Sequence, residues 1–177
     1  MSVNWTGHEA KDNTVTDTSG TAETGTADRE TVVSHDIDAA PDIVFEAFTE
    51  VRHLSMWFGP NGFTTTTKSF DFRVGGEWDF VMHGPDGTHY PNWVRWRVID
   101  RPRRIVMEHG GFRDDPDAFE ETFTFESVGD RTRIVLRNVF PTVELRDQAV
   151  ARFHAVEGGR QTLSRLAAHV VTTTHKQ

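Results

Sequence analysis

The sequence predicts an α+β domain in which about six or seven antiparallel strands pack against one long C-terminal helix. Three observations predict it. Segments with period-two alternation are bunched between residues 63 and 139. Two short helical runs follow a first strand near the start, and one long helical run closes the chain. Strands grouped together, with helices segregated to the ends, favour an antiparallel sheet over a parallel one.

The elements follow in order. Residues 31–37 are predicted as the first strand. Pro41 sits where a helix can begin, with Asp38 upstream as its cap. Ile43, Val44, Ala47 and Phe48 give that helix a short apolar face. Residues 51–57 make a second helical turn carrying Leu54 and Trp57, and Gly59-Pro60-Asn61-Gly62 ends it. Residues 63–73 read as a Thr-rich strand, turned at Gly75-Gly76. Trp78, Phe80 and Met82 then alternate with more polar positions, as on a half-buried strand. Pro85-Asp86-Gly87 marks a turn. Residues 90–100 and 103–109 are the next two strands, separated near Pro102. Phe119, Phe123 and Phe125 share one parity of another strand, and Gly129-Asp130 leads into a last strand over 131–139. Residues 142–170 are predicted as a single helix, because Ala149, Phe153, Val156, Leu163, Ala167 and Val170 recur at three- and four-residue steps. Gly158-Gly159 interrupts that pattern, so a kink or a close packing contact is expected there.

Residues 1–30 form a different region. Thr, Gly, Ser, Asp and Glu dominate it, and Trp5 is its sole aromatic residue. Such a segment cannot bury enough apolar area to offset the entropy of ordering, so it is expected to be a disordered acidic tail ahead of one domain spanning 31–177. The formal net charge of the chain is -8. That balance, without a Lys/Arg cluster, argues against nucleic acid or an anionic membrane surface as partner. There is no cysteine, which removes disulfides, thiolate metal sites and cysteine nucleophiles. No apolar run is long enough for a membrane span, and the N-terminus lacks the basic and apolar parts of a signal peptide. A cytoplasmic protein is expected.

Several strings carry a resemblance. They are Ala40-Pro41-Asp42-Ile43-Val44-Phe45-Glu46-Ala47-Phe48-Thr49, His53-Leu54-Ser55-Met56-Trp57-Phe58-Gly59-Pro60, Asp71-Phe72-Arg73-Val74-Gly75-Gly76-Glu77-Trp78, Met82-His83-Gly84-Pro85-Asp86-Gly87-Thr88, and Thr162-Leu163-Ser164-Arg165-Leu166-Ala167-Ala168-His169. In this order, over about residues 34–170, the chain resembles the activator of heat-shock-protein ATPase homologue-like family of the START-like, or SRPBCC, superfamily. The resemblance implies the helix-grip fold, with a curved sheet wrapped around the last helix and a pocket between them. Phe58 stands where many relatives have a second Trp, and Gly159 where a Trp after Gly is frequent. The superfamily holds lipid and hormone binders, polyketide cyclases and co-chaperone domains, so the resemblance does not fix one activity.

The candidate ligand-binding residues are those placed on the concave face. From the helical turn and the strands they are Trp57, Trp78, Phe80, Met82, Tyr90 and Trp96. From later strands and the last helix they are Met107, His109, Phe123, Phe125, Phe153 and Val156. Bulky apolar side chains equally suit a plain core. Parity places Trp96 inward and Arg95 outward. His109 shares parity with Met107 and Ile105, and is an inward candidate. His109 or Glu108 would be the acid or base of an enzyme; Glu120-Glu121 reads as solvated. Residues 110–117 form a loop, either a gate to the pocket or a connector. His83 and His89 flank a turn without a carboxylate constellation, so no metal is expected. No cofactor is expected either, since Gly75-Gly76 is a hairpin device and no G-x-S-x-G elbow exists. The leading expectation is binding of a small apolar or aromatic molecule. The alternatives are a cyclase- or hydrolase-like enzyme in the same pocket and a regulator of a chaperone ATPase. A homodimer is compatible with the sequence.

Overall fold

The computed structural model describes residues 25–174. Most of the expected tail, residues 1–24, lies outside the described residues. The remainder, from Gly25, already belongs to the fold. The Arg137 guanidinium donates to Thr26 Oγ1 at 2.7 Å, and Arg29 donates to the Phe140 carbonyl at 2.5 Å. Composition alone does not register these two arginines, which fasten the start of the chain to the sheet.

The order is β1 (Glu30–Ile37), α1 (Pro41–Glu46), α2 (Val51–Trp57), β2 (Thr64–Phe70), β3 (Glu77–His83), β4 (His89–Asp100), β5 (Arg104–Gly110), β6 (Phe119–Val128), β7 (Arg131–Val139), α3 (Val143–Phe153) and α4 (Ala155–Thr174). All seven strands join one antiparallel sheet in the order β1-β7-β6-β5-β4-β3-β2. The strand first in the chain thus pairs with the last alone, Glu30 opposite Val139 and Ile37 opposite Thr132. The chain then meanders strand by strand from one edge to the other. This is the helix-grip architecture: a sheet with α4 and the two short helices on its concave side.

Turn chemistry sets the meander. Gly75 and Gly87 adopt φ of +80° and +84°, values that favour glycine. Asp86 accepts from the Thr88 amide at 2.9 Å, which holds the β3–β4 turn. At the β2 edge the register shifts between Thr67 and Ser69, leaving Lys68 pointing outward. A bulge and a lysine both discourage pairing with another chain.

Alternation places the core. Trp78 and Phe80 on β3, Val94 and Trp96 on β4, Ile105 and Met107 on β5, and Phe123 on β6 are fully buried. Phe48 from the α1 end packs edge-on against Trp57 and Phe123, with centroids at 4.7 and 4.9 Å. Leu163, Leu166 and Val170 bring α4 down on this layer. Each such side chain contributes about 1.5–3 kcal/mol by leaving water. Arg95 does face outward, among Glu77, Glu108 and Asp114.

Two local expectations are corrected. Asp38 does not cap α1: Ala40 is the cap residue, with no side-chain bond, and Pro41 supplies the start by its fixed φ. The helix expected over 142–170 is two helices. Thr142 caps α3, its Oγ1 accepting from the Leu145 amide, and α3 ends where His154 takes a left-handed φ of +51°. Gly158 and Gly159 lie inside an unbroken α4. The expected close contact is real at Gly159, where a Cβ would meet Val33 Cγ2 at 3.1 Å on the sheet. Packing against β1 therefore outweighs the helix cost of Gly159.

Gly158 is different. A Cβ there would meet Pro60 Cγ at 3.4 Å, an ordinary contact. Gly158→Ala should raise stability by about 0.5–1 kcal/mol, the helix-propensity difference. Urea unfolding measures it; a loss of stability would mean that Pro60 cannot accommodate a methyl group.

Candidate functional site

An open groove of about 550 Å³ lies at one end of the sheet–helix layer. Three segments build it. The loop after α2 supplies Pro60 and Phe63, the β3–β4 hairpin supplies Met82, Tyr90 and Asn92, and the α3–α4 corner supplies Phe153 and Gly158. The loop is held by Arg165 of α4. Its guanidinium donates to the carbonyls of Gly59 (2.9 Å), Pro60 (2.8 Å), Met56 (3.1 Å) and Phe63 (3.2 Å). Gly59 and Gly62 adopt φ of +108° and +82°, so the loop's path depends on them. Helix α3 has no buried residue, and Phe153 at its end is 65% exposed over the groove.

Behind the groove wall lies a polar chain across three strands. Asn92 of β4 lines the groove. Its Oδ1 faces His109 Nε2 of β5 at 2.8 Å, and His109 Nδ1 faces Glu121 Oε2 of β6 at 2.6 Å. His109 and Glu121 are both buried, and Phe58, Phe80 and Phe119 surround the imidazole. The Asn92 amide is oriented by a second bond, Nδ2 donating to the Tyr90 carbonyl at 2.8 Å. Its Oδ1 can only accept, so His109 Nε2 carries a hydrogen.

The sequence-derived candidates divide between these places. Met82, Tyr90 and Phe153 line the groove. Trp57, Trp78, Phe80, Trp96, Met107, Phe123 and Phe125 are packed in the core. Trp57 donates its indole N–H to the Ala47 carbonyl, and Trp78 donates to Thr67 Oγ1, each at 3.0 Å. Val156 packs on the rim of the core. His109 points inward, as its parity predicts. Glu108 does not: it lies on the outer face with Arg97 and Arg95, so the inward acid is Glu121. The reading of Glu121 as solvated is corrected, since only its neighbour Glu120 faces out. The available signal was parity, because Glu121 alternates in phase with Phe119, Phe123 and Phe125. The loop 110–117 is a connector on the outer face, tied by Arg113 to Glu77 and by Asp114 to Arg95. His83 bonds Thr66 at 2.8 Å and meets the His89 ring edge-on.

A smaller cavity of about 280 Å³ lies between α1, α2 and the end of α4. In its wall His53 Nδ1 and His169 Nε2 are 3.0 Å apart. Burial, and then the neighbouring His53, push the His169 pKa below its ordinary value of 6.5. The unfolded chain therefore takes up a proton at higher pH than the folded one, and stability falls as pH drops below about 6.5. His169→Gln should flatten the decline in melting temperature between about pH 7 and 5. An unchanged slope would place the acid sensitivity elsewhere.

Residues 38–171 match the model of the family described as Activator of Hsp90 ATPase homolog 1-like protein. The chain belongs to this family. Solved structures agree with the Hsp90-activator-homolog-like fold. A protein from Arthrobacter aurescens is 24% identical, with TM-score 0.74, covering 85% of this chain and 90% of its own. One from Mycobacterium smegmatis is 21% identical, with TM-score 0.74 and coverage of 84% and 95%. A protein from Silicibacter pomeroyi whose printed name carries the family's own is 21% identical, with TM-score 0.66 and coverage of 81% and 99%. At these identities the likeness establishes the fold. No curated protein matches the chain. Among the described residues, no helix of this family member is long and apolar enough to cross a membrane.

Proposed function

We propose that residues 31–177 act as one ligand-binding domain that takes a small apolar or aromatic molecule into the groove between the β3–β4 hairpin, the loop after α2 and the α3–α4 corner. The observation that carries this reading is the groove itself: about 550 Å³, with Phe63, Met82, Tyr90 and Phe153 as its apolar walls and Asn61, Asn92, Arg152, His154, Glu157 and Gln161 as polar groups around them. A volume of that order, with apolar surface to bury and polar groups to orient a ligand, characterises small-molecule sites. Helix α3 and its exposed Phe153 gain apolar contact when the groove is filled, which favours the bound state. The core aromatics shape the groove floor rather than contacting the ligand.

Calorimetric titration with apolar aromatics tests it. Saturable, one-to-one binding is expected. Gly158→Leu, whose side chain projects into the groove, should weaken binding about tenfold or more, while Gly158→Ala leaves it nearly unchanged. Circular dichroism confirms that the Leu variant is folded. Absence of binding to native protein, or equal binding to the Leu variant, rejects the groove as the site.

A second reading, a cyclase- or hydrolase-like enzyme, is favoured by the His109–Glu121 pair, which places an acid–base couple one residue behind the groove. Its expected signature is turnover of a bound ligand that stops when His109 is replaced, while ligand binding persists.

A further inference from the structure

Asn92 makes two hydrogen bonds that exhaust only part of its capacity. Oδ1 accepts from His109 Nε2, and one Nδ2 hydrogen goes to the Tyr90 carbonyl. The second Nδ2 hydrogen has no partner in the structure, and Asn92 lies in the groove wall. A His and a Glu among Phe58, Phe80 and Phe119 cost desolvation, and an apolar pair of similar volume would be about as stable. What the pair does provide is direction. An amide free to flip presents either an oxygen or an N–H to the groove; one anchored at both ends presents an N–H alone.

We infer that the groove selects ligands bearing a carbonyl-type oxygen acceptor on a planar apolar body, read by the free Asn92 N–H, with His109 and Glu121 as positioning residues that fix the amide. This rests on the ligand-binding reading above. Asn92 is half-buried, and Tyr90, Met82 and Phe63 stand beside it in the groove wall. A ligand that covers Asn92 without an acceptor leaves the N–H unpaired, which is penalised. Ketones, esters and carboxylates share the required oxygen. A hydrocarbon of the same shape lacks it.

Two shape-matched probes decide the matter: 2-acetylnaphthalene, which carries the acceptor, and 2-isopropenylnaphthalene, which does not. Native protein should bind the ketone about tenfold or more tightly than the hydrocarbon. In Asn92→Leu the ratio should fall to about one, because the ketone loses its donor while both probes meet the same altered wall. In the double variant His109→Phe/Glu121→Leu the hydrocarbon affinity should stay unchanged while the ratio drops, which a merely structural disturbance would not produce. Equal affinity of native protein for the two probes overturns the acceptor rule and leaves the ligand-binding reading standing. So does a native ratio that survives in Asn92→Leu. If neither probe binds, the ligand-binding reading itself fails, and the acceptor rule with it.

Discussion

His109→Phe should destabilise the protein by about 3–5 kcal/mol, and adding Glu121→Leu should restore most of that loss. The single change keeps the aromatic contacts with Phe58, Phe80 and Phe119. It removes the partner of a carboxylate that is 5% exposed. Glu121 is then a buried polar group with its 2.6 Å bond gone and aromatic side chains around it. The second change removes that group and puts a branched apolar side chain beside Phe119 and Phe123. Denaturant midpoints of the two variants measure both steps. Recovery in the double variant means that the polar pair is kept for something other than stability. Failure to recover would mean that the His109–Asn92 bond anchors β4 to β5 in its own right.

The second large effect is expected at Arg165. Arg165→Met should cost about 2–4 kcal/mol and abolish binding in the groove. One guanidinium serves four carbonyls of the segment from Met56 to Phe63, and no lysine reproduces that fork. Burial pushes its pKa below the ordinary arginine value, yet the group remains charged, and its charge strengthens each bond. Methionine keeps the stem and loses every donor. Pro60 and Phe63 would then no longer be held as a wall. Unfolding curves and a probe titration read the two consequences separately. Arg165→Lys should recover part of the stability and little of the binding. If Arg165→Met retains native affinity, the loop is held by its glycine turns alone.

Legibility differed between backbone and site for physical reasons. Alternation is a local property, so Trp78, Phe80, Trp96 and Phe123 could be placed inward from their own strands. Glu121 obeyed the same alternation but was masked by Glu120, since a charge pair reads as solvent-facing until a buried partner is known. The polar chain Asn92–His109–Glu121 depends on register among three strands, and register here includes a shift between Trp96 and Val98 that no local pattern announces. The pocket was expected between the concave face of the sheet and the last helix, with Trp78, Phe80 and Phe123 among its walls. Phe58 closes that space by packing on Trp78 and Phe80. What remains open is the end where α3 and α4 separate. That break has no glycine to mark it: His154 carries the left-handed turn, a conformation that sequence favours mainly for Gly, Asn and Asp.

The pairing of β1 with β7 alone has a consequence for how the molecule comes into being. During synthesis β1, α1 and α2 emerge first, but the sole strand that can pair β1 follows about a hundred residues later. The meander from β2 to β7 can assemble by successive hairpins, each a short-range step. Closing β1 onto it is the one long-range strand pairing, and its loop entropy must be met before α4 can seat on both. Until the last strand is complete, the nascent chain therefore carries β1 without its strand partner, Val33 and Ile37 still uncovered.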